Sequence, residues 1–225
     1  MVRNTPLSGF FKRAILFSAC YLTLSVPLLR ASEPNGDPLR YFKNYFVTGD
    51  YAVAGVGLRG TGVNGFATGT INMTAVPCGA TSAAVIPAVG PCDGNHTVPG
   101  DAVAAFLYWE TEEKTPTPSA VNGFFNTNPI VGKVLGSPDN RACWSSGGTS
   151  TGRGRVYRAD VLRELAIDHT NNVRLGNGMH QVKLPDSGGN GNGNILYTSG
   201  ATLVVVYRII VPGQPRIAPL RAVVS

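Results

Sequence analysis

The sequence predicts a mostly β fold, a jelly-roll-like antiparallel β-sandwich with one short helix, placed after an N-terminal signal peptide. Three observations predict it. Short apolar or β-branched segments recur along the chain, clusters of Gly, Asn, Pro and Ser separate them, and helical periodicity is scarce. A length of 225 residues suits one such domain with long loops.

The first 31 residues have the layout of a secretory signal peptide. Basic residues precede an apolar run from Ala14 to Leu29, and polar, turn-rich sequence follows it. The run is shorter than the ~20 residues that cross a bilayer as a helix, and Pro27 interrupts it. We therefore expect cleavage after Ala31, a secreted or cell-surface protein, and no stable membrane span in the mature chain.

A linker, residues 32–44, is expected to lead into the sandwich domain, residues 45–225. Five strands are predicted from their apolar or β-branched composition: Tyr45–Val56, Asp101–Thr111, Met179–Leu184, Ala201–Ile210 and Leu220–Val224. A helix is predicted over Tyr157–Leu165, because Val161, Leu162 and Leu165 fall on one helical face. The last strand stops at the chain end without a cap, so we expect the domain to continue past Ser225.

Alternate residues of two strands should form the core, because successive side chains in a strand point to opposite faces. The predicted core set is Val103, Ala105, Leu107, Trp109, Leu203, Val205 and Tyr207.

The net charge of +6 belongs largely to the signal peptide. Four of the nineteen Lys and Arg residues lie before position 32, whereas all thirteen Asp and Glu residues follow it, so fifteen basic and thirteen acidic residues leave the mature chain at +2. Nucleic-acid binding requires a concentrated basic surface. We therefore expect no nucleic-acid partner.

The mature chain has three cysteines, Cys78, Cys92 and Cys143. Export makes a disulfide chemically available, and the near pair Cys78–Cys92 would tie a Pro- and Gly-containing loop across 14 positions. Three reduced, unrelated cysteines remain the alternative, because spacing alone does not fix connectivity. The partner of Cys143 stays open: an unpaired thiol beside Trp144, or a bridge beyond the chain end.

Two glycine-rich motifs lack the context that their chemistry needs. Gly55–Gly60 matches a dinucleotide fingerprint, but the Gly- and Asn-containing continuation is unsuited to the helix that would bind a pyrophosphate. Gly148–Gly152 matches a nucleophile elbow around Ser150, but its flanks form a Gly/Ser-rich loop. Neither motif predicts a catalytic residue.

Glu110 and Glu112 are the candidate acid and base for glycoside chemistry, since alternation places them on one face of a strand. A solvated strand end is the simpler interpretation. We predict no catalytic residue and no cofactor, and keep a secreted glycan-processing hydrolase as the alternative.

No metal site is predicted. His96, His169 and His180 are far apart in sequence. The loop from Asp186 to Asn194 has recurring side-chain oxygens but one carboxylate and no closing Glu, so calcium binding there stays open. Trp144, in a Gly/Ser loop, is the candidate ligand contact.

The strand series is similar to that of uncharacterised secreted bacterial surface proteins. The segments that carry the likeness are Phe46–Asp50, Ala104–Trp109, Tyr157–Val161, Gly200–Tyr207 and Pro219–Arg221. The resemblance implies a jelly-roll-like sandwich at the cell surface, and it carries no established catalytic residues. We therefore expect a non-enzymatic exported domain of a bacterial surface or extracellular protein, acting in adhesion or in binding a glycan or a surface protein.

Overall fold

The computed structural model describes residues 42–136, 152–188 and 196–210, together with the backbone of residues 223–224. The predicted signal peptide, most of the linker, and the predicted sites at Cys143, Trp144, Ser150 and Asn190–Asn194 lie outside these ranges. Among the described residues no helix is long and apolar enough to cross a membrane.

Two antiparallel sheets contain the long strands, numbered here in chain order. The first seven strands are β1 Lys43–Asn44, β2 Gly49–Gly57, β3 Phe66–Met73, β4 Cys78–Gly79, β5 Val89–Gly90, β6 Val98–Pro99 and β7 Asp101–Glu113. The remaining strands are β8 Asn122–Phe125, β9 Asn128–Val131, β10 Lys133–Leu135, β11 Arg153–Asp160, β12 Ile167–Asp168, β13 Val173–Arg174, β14 Gly178–Pro185, β15 Leu196–Arg208 and β16 Val223–Val224.

The larger sheet has the order β10-β11-β7-β15-β2, and the smaller has the order β3-β14-β8-β9. Most successive long strands lie in opposite sheets, so the chain crosses repeatedly over the core, and all the pairings are antiparallel. The predicted fold class, a mostly β antiparallel sandwich, is confirmed.

The inner faces of the two sheets share one apolar core. Alternate residues of the central strands β7 and β15 meet residues of β3 and β14, including Ile71 and Leu184, which are fully buried. The predicted inward residues Ala105, Leu107, Trp109, Leu203, Val205 and Tyr207 all belong to this core.

Val103 is the exception to the predicted core. Its neighbours Ala102 and Ala104 pair with Tyr207 and Val206, so Val103 is the extra residue of a β-bulge. The bulge reverses the alternation, and Val103 packs against a second cluster on the outer face instead. Tyr45, Ala104, Phe106 and Val206 form that cluster.

The helix predicted over Tyr157–Leu165 is wrong. Residues 153–160 form strand β11, which pairs with β7 over eight residues and buries Arg155, Tyr157 and Ala159 at every second position. One turn of 3₁₀ helix, Leu162–Glu164, follows. The strand predicted to begin at Tyr45 begins at Gly49, because Tyr45 packs over the outer face of the sheet.

The predicted disulfide between Cys78 and Cys92 is present. It ties the insertion that carries the small sheet β5-β4-β6. Within this insertion the buried His96 ring contacts the carbonyl of Pro87 and the carboxylate of Asp93, so the loop has polar contacts of its own beside the bridge.

Leu203→Ala should lower the free energy of unfolding by about 2–5 kcal/mol, because Leu203 is fully buried between the sheets and its truncation leaves a cavity. Urea denaturation measures the loss, and Thr202→Ala on the opposite face is the matched control. A loss for Leu203→Ala below about 0.5 kcal/mol, the size of a surface effect, would contradict this placement.

Candidate functional site

The acidic end of β7 separates into two faces. Glu110 is exposed and Glu112 half-buried on the outer face, whereas Glu113 has no exposed surface and points inward, as Trp109 and Thr111 do. Glu110 lines a shallow depression of about 500 Å³ on the outer face, together with Tyr108 and Val156.

Glu113 is the centre of a buried hydrogen-bond network that the sequence did not reveal. Its Oε2 accepts from Arg155 Nη1 at 2.6 Å and from the backbone N and Oγ of Ser119 at 2.8 and 2.9 Å. Its Oε1 accepts from Thr111 Oγ1 at 2.8 Å and from the hydroxyl of Tyr157. Both oxygens are therefore saturated by fixed donors, which indicates a structural rather than a catalytic carboxylate.

Arg155 connects this carboxylate to the loop that leaves β7. Its guanidinium donates to the carbonyls of Thr115 at 3.0 Å, Pro116 at 2.6 Å and Thr117 at 3.3 Å. Trp109 Nε1 donates to the Ala120 carbonyl at 3.1 Å, and its ring stacks on Tyr157. The crossing from one sheet to the other is thus held by polar contacts that the buried side chains of Arg155 and Trp109 make with its backbone.

Burial by itself raises the pKa of Glu113, but the hydrogen bonds from Tyr157, Ser119 and Thr111 outweigh it and bring the pKa below its usual range. Burial and the neighbouring Glu113 carboxylate raise the pKa of Tyr157. Tyr157 is therefore a neutral donor and Glu113 an ionised acceptor at neutral pH.

The groove on the outer face of the smaller sheet is the candidate ligand-binding site. It has a volume of about 700 Å³, and the side chains that line it come from β3, β14 and the β8–β9 hairpin. They are Thr68, Thr70, Phe124, Thr127, Gln181 and Lys183. We call this site the outer groove.

Alternation positions these side chains. On β3 the residues Ala67 and Ile71 are buried while Thr68 and Thr70 are exposed, and on β14 the burial of Val182 leaves Gln181 and Lys183 in solvent. Register then pairs Gln181 with Thr70 and Lys183 with Thr68. Hydroxyl, amide and ammonium groups therefore form two adjacent rows on one surface.

Lys183 is the charged group of the outer groove. Its Nζ lies 4.3 Å from the ring centroid of Phe66 and 5.4 Å from that of Phe124, and those rings meet edge to face at 6.0 Å. Within the described residues no carboxylate forms an ion pair with Lys183. The ammonium is held by ring contacts and keeps its capacity to donate to a ligand.

The hairpin turn at the end of the groove is strained. Asn126 and Thr127 have φ of 48° and 70°, and a β-branched residue rarely adopts this left-handed region. The Asn126 side chain accepts from Gln181 N at 3.0 Å and lies 3.2 Å from His180 Nδ1, which fixes the turn beside β14. Positive φ at both residues is the geometry of a two-residue type I′ hairpin turn, and Thr127 adopts it without the conformational freedom of glycine.

The histidines do not form a metal centre. His96 and His180 are buried in separate hydrogen-bonded positions, and His169 is exposed. Burial lowers the pKa of His180, which stacks on Phe125. In the described ranges no group of three or more His, Cys, Asp or Glu is placed to hold a metal ion.

Asp186, the carboxylate of the loop considered for calcium, is buried. Its Oδ1 accepts from Gly188 N at 2.8 Å and its Oδ2 from Thr198 N at 2.9 Å, so both oxygens bind the backbone. The glycine-rich segment Gly55–Gly60 is the end of β2 followed by a turn, with Thr61 N donating to the Leu58 carbonyl at 3.1 Å.

Trp144, the predicted ligand contact, lies outside the described residues, and the residues of the outer groove were not predicted. The signal was present in β14 and β3, where Thr, Gln and Lys alternate with apolar residues, but β3 was not predicted and its partner was therefore unknown.

Glu113→Gln should destabilise the protein by about 3–5 kcal/mol at pH 7, because the buried Arg155 loses its charge partner. The lowered pKa of Glu113 stabilises the fold above the unfolded value near 4.3, and this contribution is lost as pH falls through the folded value. Denaturation of both proteins across pH 3–7 should show a steeper acid loss for the wild type. Glu112→Gln is the control, and an equal effect from it would refute the assignment.

Thr127→Gly should raise the free energy of unfolding by about 1 kcal/mol, because glycine adopts positive φ without the Cβ penalty. Thermal denaturation checks this expectation, with Thr70→Gly in an ordinary strand position as the matched control that should lose stability. A decrease for Thr127→Gly would show that the turn is not strained.

Comparison of the chain with protein-family models, curated proteins and solved structures found no match to any of them.

Proposed function

We propose that this chain is an exported, non-catalytic binding domain that holds a glycan or a surface protein in the outer groove, in an adhesive role at the bacterial cell surface. The observation that carries the proposal is the groove itself: a row of outward hydroxyl and amide groups beside an ammonium and an aromatic edge, built on paired antiparallel strands.

The chemistry of the outer groove suits a ligand with both polar and apolar surfaces. Thr68, Thr70 and Gln181 offer donors and acceptors, Lys183 donates with charge, and Phe124 offers the edge of a ring. A sugar has hydroxyl groups around an apolar C–H face, and an extended peptide also has polar groups and apolar side chains. Specific sites combine such surfaces with a few fixed polar groups.

Export is supported by two features. The N-terminal pattern is that of a signal peptide, and disulfides such as Cys78–Cys92 form and persist in oxidising compartments. The carboxylate of Glu113 is not a candidate catalytic group, since five donors occupy its oxygens.

Lys183→Met should weaken ligand binding at least about tenfold, because it removes a charge-assisted hydrogen bond while keeping an unbranched apolar stem over the rings. A glycan array and a panel of surface-protein fragments identify the ligand, and titration calorimetry gives the two affinities. Lys133→Met, at an exposed position of β10, is the matched control and should bind as the wild type does.

Equal binding by Lys183→Met and the wild type would place the ligand outside the groove. A reducing-sugar assay on any glycan that binds tests the hydrolase alternative. Sugar release that Glu110→Gln abolishes would overturn the non-catalytic proposal.

A further inference from the structure

We infer that Asn95 is an acceptor site for N-linked glycosylation, and that the fold makes it selectively available over the other candidate in the chain. The tripeptide Asn-x-Thr, where x is not Pro, occurs twice, at Asn72–Thr74 and Asn95–Thr97. This tripeptide is the acceptor pattern for transfer of an oligosaccharide to asparagine in exported proteins.

The side chains of the Asn95 tripeptide are presented to solvent. Asn95 and Thr97 are exposed, whereas the intervening His96 is buried and anchors the segment. The amide and the hydroxyl that a transferase must contact are therefore both accessible to solvent. Neither the Asn95 side chain nor the Thr97 side chain makes a hydrogen bond within the described part of the chain.

A tight turn in the disulfide-tied insertion carries Asn95. Asp93 N donates to the His96 carbonyl at 3.1 Å, and Asp93 Oδ1 accepts from Asn95 N at 2.8 Å. The Nε2 of the buried His96 ring lies 2.9 Å from the Pro87 carbonyl oxygen, and this contact fixes the turn to the rest of the insertion. The Asn95 carbonyl accepts from the backbone N of Thr81 at 2.9 Å and from its Oγ1 at 3.1 Å. These partners all belong to the insertion, so a transferase can engage the turn without opening the sandwich.

Asn72 has the same tripeptide in a different backbone setting. It lies in β3 opposite Met179, within an eight-residue ladder to β14, and the next residue, Met73, is fully buried in the core. An enzyme that must enclose the acceptor backbone would have to break ladder hydrogen bonds and expose Met73. Modification of Asn72 therefore requires local unfolding of β3, and the ladder hydrogen bonds and the burial of Met73 oppose that unfolding.

The transfer needs a lipid-diphosphate-linked oligosaccharide as donor. The Nδ2 of Asn95 forms a bond to the anomeric carbon of the first sugar, and the bond from that carbon to the diphosphate oxygen breaks. The lipid diphosphate leaves with the electron pair, and one amide proton passes to a base. In the cell this reaction requires the proposed export, but it does not depend on the outer groove.

The experiment uses the purified, folded chain with Cys78–Cys92 intact, an oligosaccharyltransferase that modifies exported proteins, and its lipid-linked donor. Peptide mass spectrometry reads the occupancy of the two asparagines. We expect occupancy at Asn95 more than about tenfold above that at Asn72 in the folded protein, and modification of both after reduction and denaturation. Because the reaction is run in vitro, its result is independent of whether the chain is exported.

Variants at the site complete the test. Asn95→Gln and Thr97→Val should abolish the modification of the folded chain, whereas Thr97→Ser should retain it, and mapping of the disulfide confirms that each variant is folded. An unmodified Asn95 in the folded wild type, or equal occupancy of Asn72 and Asn95, would overturn the inference.

Discussion

The buried ion pair between Glu113 and Arg155 is the interaction on which the sandwich depends. A carboxylate and a guanidinium with no exposed surface are costly to remove from water, and the cost is offset only when every donor and acceptor is paired. Here Glu113 receives five hydrogen bonds and Arg155 donates to three carbonyls of the crossing loop. The pair therefore fixes where the chain leaves one sheet for the other.

A second carboxylate, that of Asp101, fixes the other end of β7 to its neighbouring strands. Asp101 Oδ2 accepts from Arg208 Nε at 2.7 Å, and its Oδ1 accepts from Arg174 N at 2.9 Å, so the start of β7 is tied to β15 and β13. The apolar middle of the strand supplies burial, which has no preferred direction, while the charged ends supply directional contacts. Together they position the crossings as well as the strand.

The β content, the two central strands and their inward residues could be predicted from sequence, because alternation and composition are local properties. Val103 could not, since a bulge is defined by the pairing of β7 with β15. The supposed helix at Tyr157 failed for a related reason: its residues also alternate at period two, and pairing with β7 decides for the strand. Alternation along β7 was enough to place Glu113 on the same face as Trp109. The partner of Glu113 could not be predicted, because Arg155 lies 42 positions away in the sequence.

The outer faces of the two sheets differ in how far other parts of the chain cover them. One end of the larger sheet is covered, because Phe42 and Tyr45 pack on Phe106 and the Arg158 guanidinium lies 3.4 Å from the Phe42 ring centroid. On the smaller sheet, the groove residues Thr70 and Gln181 remain in solvent.

Placing the outer groove on this second sheet has a physical consequence. Its strands share the core with β7, whose crossing loop is fixed by buried charges, so the side chains of the groove stand on a surface that is already ordered before any ligand arrives. A ligand there does not have to order the scaffold, and more of its contact energy becomes affinity. The strained Thr127 turn fits the same account, since only an over-determined scaffold holds such a conformation.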